Sequence, residues 1–197
     1  MENTFVFQFV QATVVAVFAI FISDFKKKTG MIPLINEKWT HALKLSLLAP
    51  TLVYAYSLAT LSWISQVGLA SLGLTMLGTA LVVKAKSDLS RHYTWTGFCM
   101  ETPKLVANGI YAYIRHPLYA GIYIFVSGIT LTIIQHTTWH LSVPAVMALV
   151  YVMSYLAVSA ARETKTLEKK LGKEFLTYKE KVHFCLPLRR YVEQEKT

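Results

Sequence analysis

Residues 118–134 read LYAGIYIFVSGITLTII, an unbroken run without an Asp, Glu, Lys, Arg or His. Crossing the ~30 Å hydrocarbon core of a bilayer at about 1.5 Å per residue takes roughly 20 apolar residues, with a lower limit near 17, so this run reads as a membrane span. Working outward from it, the same criterion finds four more runs, at 4–23, 45–64, 67–83 and 141–161. Only Ser65 and Gln66 separate the second run from the third. Only residues 135–140, which include Trp139 and His140, separate the fourth from the fifth, so both pairs read as tight helical hairpins. The expectation is an all-α integral membrane bundle of five spans.

Composition agrees, with 54% hydrophobic residues and only 16% charged in 197 positions, well short of the quarter expected in a soluble domain. Disorder, collagen and a disulfide scaffold are excluded. The two cysteines, Cys99 and Cys185, match no zinc or CxxC spacing, so neither a disulfide framework nor a metal site is expected. The net charge of +9 comes from a segregated set of cations. Lys26, Lys27, Lys28, Lys38 and Lys44 lie between spans one and two; Lys84, Lys86, Arg91, Lys104 and Arg115 lie between three and four; the other ten follow span five. The two hairpin turns carry none. Because Lys and Arg near span ends are retained on the cytoplasmic side, five spans place the N-terminus outside and the C-terminus inside. A secretory signal peptide is a poor reading of span one, since Glu2 precedes the apolar run and the lysine triplet follows it. The basic surface fits anionic lipid, and no motif points to nucleic acid. A channel or transporter is disfavoured because no span carries an ionisable residue.

Inside the spans, Pro50 and Pro144 are expected to kink or begin their helices. Gly68, Gly73 and Gly78, with Ser71, Thr75 and Thr79, give span three a small-residue face suited to close helix packing.

Polar residues collect in two stretches, 84–117 and 162–197, each too short to build its own core, so both must pack on the membrane part. The first runs into span four as Asn108-Gly109-Ile110-Tyr111-Ala112-Tyr113-Ile114-Arg115-His116-Pro117-Leu118-Tyr119-Ala120-Gly121. Gly109 permits a turn, and Pro117 suits the first turn of a helix. Arg115 and His116 therefore stand at the mouth of span four, beside a helix N-terminus that favours an anion. Equally, Tyr111, Tyr113 and Tyr119 fit an interfacial aromatic belt. The second stretch opens with Arg162-Glu163 and continues with Leu167, Leu171, Phe175, Tyr178 and Val182 at helical spacing. That pattern predicts an amphipathic helix, interrupted at Gly172, lying on the membrane or on the other polar stretch. Glu163, at the end of a span, needs a partner or a ligand, and an ion pair with Arg162 or Arg115 is one way to supply it.

Together these blocks resemble the isoprenylcysteine carboxyl methyltransferase and phospholipid methyltransferase superfamily of small integral membrane enzymes. Leu105, Val106, Gly109, Tyr111, Tyr113, Arg115, His116, Pro117, Tyr119 and Gly121 match its first block; Glu163, Leu167, Gly172, Phe175, Tyr178, Val182 and Pro187 match its second. Thr164 stands where the family has a second acidic residue, and Leu171 where it has Phe. The resemblance covers the chain from Lys84 onward. It implies methyl transfer from S-adenosylmethionine to a lipophilic acceptor at the cytoplasmic face, with His116, Pro117, Tyr119, Glu163 and Tyr111 holding the cofactor and Arg115 and Glu163 acting in catalysis. A tyrosine face such as Tyr119 can hold a sulfonium, and Glu163 can pair with the cofactor's amino group or ribose. A carboxylate acceptor would be oriented by Arg115, an amine would need a base such as His116 or Glu163, and a thiol would need only a nearby cation. The resemblance further implies a core over 67–197, in which spans three to five and the polar cap enclose the cofactor, with spans one and two (1–66) shaping an entrance for the acceptor. Two other readings stand beside it. One is an NADPH-dependent sterol or steroid reductase, which shares an Arg-His-Pro-Asn-Tyr block, although Leu118 stands here in place of Asn. The other is a non-catalytic membrane scaffold.

Overall fold

The computed structural model describes residues 2–23, 30–90, 94 and 96–184. Lys26, Lys27, Lys28, Arg91, Cys185 and Pro187 lie outside the described residues. The elements run α1 (Glu2–Ile22), β1 (Met31–Pro33), α2 (Glu37–Ser46), α3 (Leu48–Ala59), α4 (Gln66–Leu89), β2 (Phe98–Met100), a 3-10 turn (Gly109–Ala112), α5 (Pro117–His136), α6 (Trp139–Leu171) and α7 (Lys173–Lys181). Five segments are long and apolar enough to cross a membrane: Asn3–Ile22, Lys38–Ala59, Gln66–Leu89, Pro117–His136 and Trp139–Leu171. The expected all-α membrane bundle is therefore what the chain forms.

The second segment is displaced toward the N-terminus relative to the apolar run at 45–64. Polar side chains can begin a helix outside the hydrocarbon layer, and Asn36 does so by accepting from the Lys38 N–H. The segment is divided at Leu47, because Pro50, in the first turn of α3, has no N–H to continue the ladder. Pro144 does not begin its helix; it lies in the second turn of α6, which starts at Trp139.

The bundle alternates end to end. At one end the Gln8 side chain donates to the Leu58 carbonyl (2.8 Å), the Gln135 side chain donates to Ser65, and Trp63 meets His136 edge-on at 5.9 Å. At the other, the Lys86 ammonium donates to the Phe21 and Ser23 carbonyls (2.6 and 3.0 Å), neutralising the negative pole of α1.

Helices α4 and α5 pack closest. A Cβ on Gly78 would lie 2.5 Å from the Phe125 amide nitrogen, and one on Gly128 would lie 2.8 Å from the Ser71 carbonyl oxygen. Gly68 instead faces Phe7 of α1, and nothing lies within 4 Å of a Cβ on Gly73, so Gly73 is not part of the expected packing face. Within this seam sits a buried polar network. Thr75 donates to Gln11 (2.9 Å), Gln11 reaches Ser71 (3.4 Å), and Ser71 contacts Thr132 (2.6 Å) and the Gly128 carbonyl (2.8 Å), tying α1 to α4 and α5.

Two short strands were not legible as such. β1 and β2 pair antiparallel, Met31 opposite Met100 and Pro33 opposite Phe98, joining the loop after α1 to the stretch after α4. Lys170 of α6 clasps β2 and its following residue through the Met100 and Glu101 carbonyls (3.0 and 2.8 Å). Gly172, at φ +55, ends α6 and starts α7. The apolar stripe then buries Phe175, Tyr178 and Val182 against Leu105, Ala107, Leu167 and Leu171, so α7 lies on the other polar stretch, one of the two placements expected.

Candidate active site

The first polar block approaches α5 through the 3-10 turn, which buries Tyr111, then turns into the helix with Pro117 as its first residue. The peptide N–H groups of Arg115 and His116 donate to the His183 and Phe184 carbonyls (2.9 and 3.0 Å), so the segment after α7 lies alongside this entry. Tyr119 sits in the first turn of α5, and Glu163 and Thr164 sit on the extension of α6 beyond its apolar run.

These pieces meet side chain to side chain. The Tyr119 hydroxyl donates to Glu163 Oε2 at 2.9 Å, and His116 Nε2 lies 3.1 Å from Thr164 Oγ1. The His116 ring is tilted against Tyr119 (centroids 5.5 Å apart) and against Phe184 (4.8 Å). His116 is only 4% exposed. Burial, helped by the Arg115 guanidinium, pushes its imidazole down to about 3, so the ring is neutral and a weak base.

The two blocks wall a cavity of about 100 Å³ that opens to solvent. Tyr111, Arg115, His116, Tyr119 and Glu163 all line it. Pro117 does not; it is buried beneath the helix start, where its role is to begin α5. Tyr111 and Tyr119 are buried, so of the three tyrosines only the exposed Tyr113 is left for an aromatic belt.

Among the described residues, the ion pair expected at Glu163 does not form. Arg162 donates instead to the Leu34 carbonyl at 2.8 Å, and the hydrogen-bond partner of Glu163 is Tyr119. Neighbouring residues on a helix project about 100° apart, so Arg162 and Glu163 cannot face one site together. No described residue of α1, α2 or α3 lines the cavity.

Several wall residues were not expected at the site. Lys104 and Thr96 come from the stretch between α4 and α5, and Cys99 comes from β2. Burial, and then the Glu163 charge, push the Cys99 thiol up, so it is an inert part of the wall. Phe184 packs on His116 from beyond the helical stripe, where no periodicity remains to flag it.

Residues 67–174, more than half of the chain, match the model of the phospholipid methyltransferase family, and the chain belongs to that family. With its five apolar segments it is an integral membrane protein of methyltransferase type. No curated protein matches the sequence.

Proposed function

We propose that this protein transfers a methyl group from S-adenosylmethionine to a lipophilic acceptor in the cavity between the first turn of α5 and the extension of α6. The observation that carries the reading is the Tyr119–Glu163 hydrogen bond, which unites two blocks 44 positions apart on one cavity wall. The donor set suits the cofactor: a carboxylate for an ammonium or ribose hydroxyls, aromatic faces for a sulfonium, and a guanidinium for a carboxylate. When bound, S-adenosylmethionine supplies a methyl group on a positively charged sulfur.

Tyr111, His116, Tyr119 and Glu163 would hold the cofactor. Pro117 would serve by fixing the start of α5, on which Tyr119 rides. Thr164, in place of a second acid, keeps the neutral His116 ring in orientation, leaving Glu163 as the carboxylate toward the cavity. Arg115 would orient the acceptor. His116 is too weak a base to deprotonate an ammonium, so an amine acceptor would depend on Glu163 as its base, whereas an acceptor that arrives anionic, a carboxylate or a thiolate, would need none. A wall shielded from water strengthens the attraction between such an anion and the sulfonium. The segregated cations support a reading in which this end of the bundle is at the cytoplasmic face, with the N-terminus outside and the C-terminus inside. Residues 67–197 would form the cofactor core, and spans one and two would border the acceptor's route from the lipid.

Calorimetric titration of the detergent-purified protein with S-adenosylhomocysteine, in parallel with NADPH, tests this directly. Micromolar binding of the former alone, abolished by Glu163→Ala and by His116→Ala in protein that remains folded, is expected. Binding of NADPH alone would move the protein to the reductases, and binding of neither would leave a scaffold.

A further inference from the structure

The last turn of α4 carries a carboxylate beside the cavity but outside its lining. Asp88 sits there with its side chain 14% exposed, and Lys84, one turn earlier, pairs with its Oδ1. The other oxygen, Oδ2, accepts the Ile110 peptide N–H at 2.7 Å, across 22 residues of chain. Asn108 precedes the 3-10 turn but supplies no side-chain cap, so Asp88 does that work from a different element. The Ile110 carbonyl in turn accepts from the Tyr113 and Ile114 N–H groups (3.1 and 3.0 Å), which makes Ile110 the pin of the segment leading to Arg115 and His116. Gly109, at φ +58, has no room for a side chain, because a Cβ there would run into the Asp88 carboxylate. From the same turn the Tyr111 carbonyl accepts the buried Tyr178 hydroxyl at 2.7 Å, so its position also sets where α7 docks.

We infer that Asp88 is a positioning residue for the cavity: through the Ile110 amide it fixes the 3-10 turn, and with it Tyr111, Tyr178 and the approach to Arg115 and His116. This rests on the methyltransferase reading for its ligand but on the hydrogen bond for its structure. A carboxylate acceptor on a peptide N–H is a charge-assisted bond, and its loss strands a half-buried donor.

The test combines two readouts on the full-length protein in detergent: hydrogen exchange across residues 108–116 and 173–182, and calorimetric affinity for S-adenosylhomocysteine. Asp88→Ala is expected to lose protection in both segments and to bind roughly tenfold more weakly, the effect of one lost charge-assisted bond. Exchange in the membrane helices should stay as in the wild type. Asp88→Asn, which keeps an acceptor oxygen, should restore protection and bring affinity to within about threefold of wild type. It also keeps the inference testable if the alanine variant does not fold. Unchanged exchange in Asp88→Ala, unchanged affinity despite lost protection, or an Asn variant as damaged as the alanine would each overturn the positioning role. A wild-type protein that binds no S-adenosylhomocysteine would overturn the methyltransferase reading and this inference with it, whereas wild-type binding matched by Asp88→Ala overturns this inference alone.

Discussion

A carboxylate shared between a phenol and a cavity behaves differently from one locked in an ion pair. Among the described residues Glu163 accepts one hydrogen bond, from Tyr119, and it retains acceptor capacity toward the cavity. Tyr119→Phe should therefore leave the aromatic face in place while weakening S-adenosylhomocysteine binding about fivefold, the effect of one hydrogen bond of ~1 kcal/mol. Tyr119→Leu should weaken it further by removing the ring. Equal losses in the two variants, by calorimetry, would mean that the ring contributes nothing. His116 makes a separate prediction through pH. Its folded value of about 3 lies below its ordinary 6.5, so between these limits the unfolded chain binds the proton and the folded one does not. Stability should then fall as pH drops below about 6.5, with no such slope from this residue above it. Thermal unfolding in detergent from pH 7.5 to pH 5 should show a steeper decline for the wild type than for His116→Gln, and parallel declines would contradict a buried neutral ring. Much at this scale was legible: the residue types of the Arg-His-Pro-x-Tyr block and the carboxylate block carry their chemistry with them. Asp88 was not, because its partner is a backbone amide 22 positions away and no local pattern announces such a bond.

At the scale of elements, the seam between α4 and α5 decides whether the cavity exists, since one wall starts at the end of α4 and another at the start of α5. Small residues at 71, 75 and 78 follow helical spacing and form its contact stripe, whereas Gly68 turns to α1 and Gly73 meets nothing. Counting glycines alone marks all three as packing positions, and only the angular position around the helix separates them. Gly128→Leu should accordingly destabilise by at least ~2 kcal/mol, because its side chain would collide with backbone rather than with a movable side chain. Gly73→Leu should change stability by less than about 0.5 kcal/mol. Chemical or thermal unfolding in one detergent decides it, and similar losses in both variants would refute the seam. The break at Leu47 could be anticipated from Pro50. The β1–β2 pair could not: three residues are too few to show a period of two, and the partners lie 69 positions apart at Met31 and Met100.

For the whole molecule, the number of spans was legible because hydrocarbon thickness fixes the length of an apolar run, and this constraint owes nothing to tertiary contacts. Helix α6 goes beyond it. Its 33 residues amount to about 50 Å at ~1.5 Å each, well over the ~30 Å core, so its last third projects from the bundle carrying Glu163, Thr164 and the lysine that clasps β2. On the proposed function, the site is thus assembled where a lipid-borne acceptor and a water-borne cofactor would both arrive if this end faces the cytoplasm. The proposed orientation rests on the cations alone, because the turns 60–65 and 137–138 at the opposite end carry neither Lys nor Arg. In a background lacking Cys99 and Cys185, single cysteines at Ser62 and Thr138 should react with a membrane-impermeant maleimide in intact cells, and one at Lys173 only after permeabilisation. All three positions are exposed, so accessibility reports the side of the membrane and not burial. Labelling of Lys173→Cys alone in intact cells would invert the molecule and move the cavity to the outer face, where no cytosolic cofactor could reach it. Labelling of only one of Ser62→Cys and Thr138→Cys would instead break the five-span alternation that brings the two turns together.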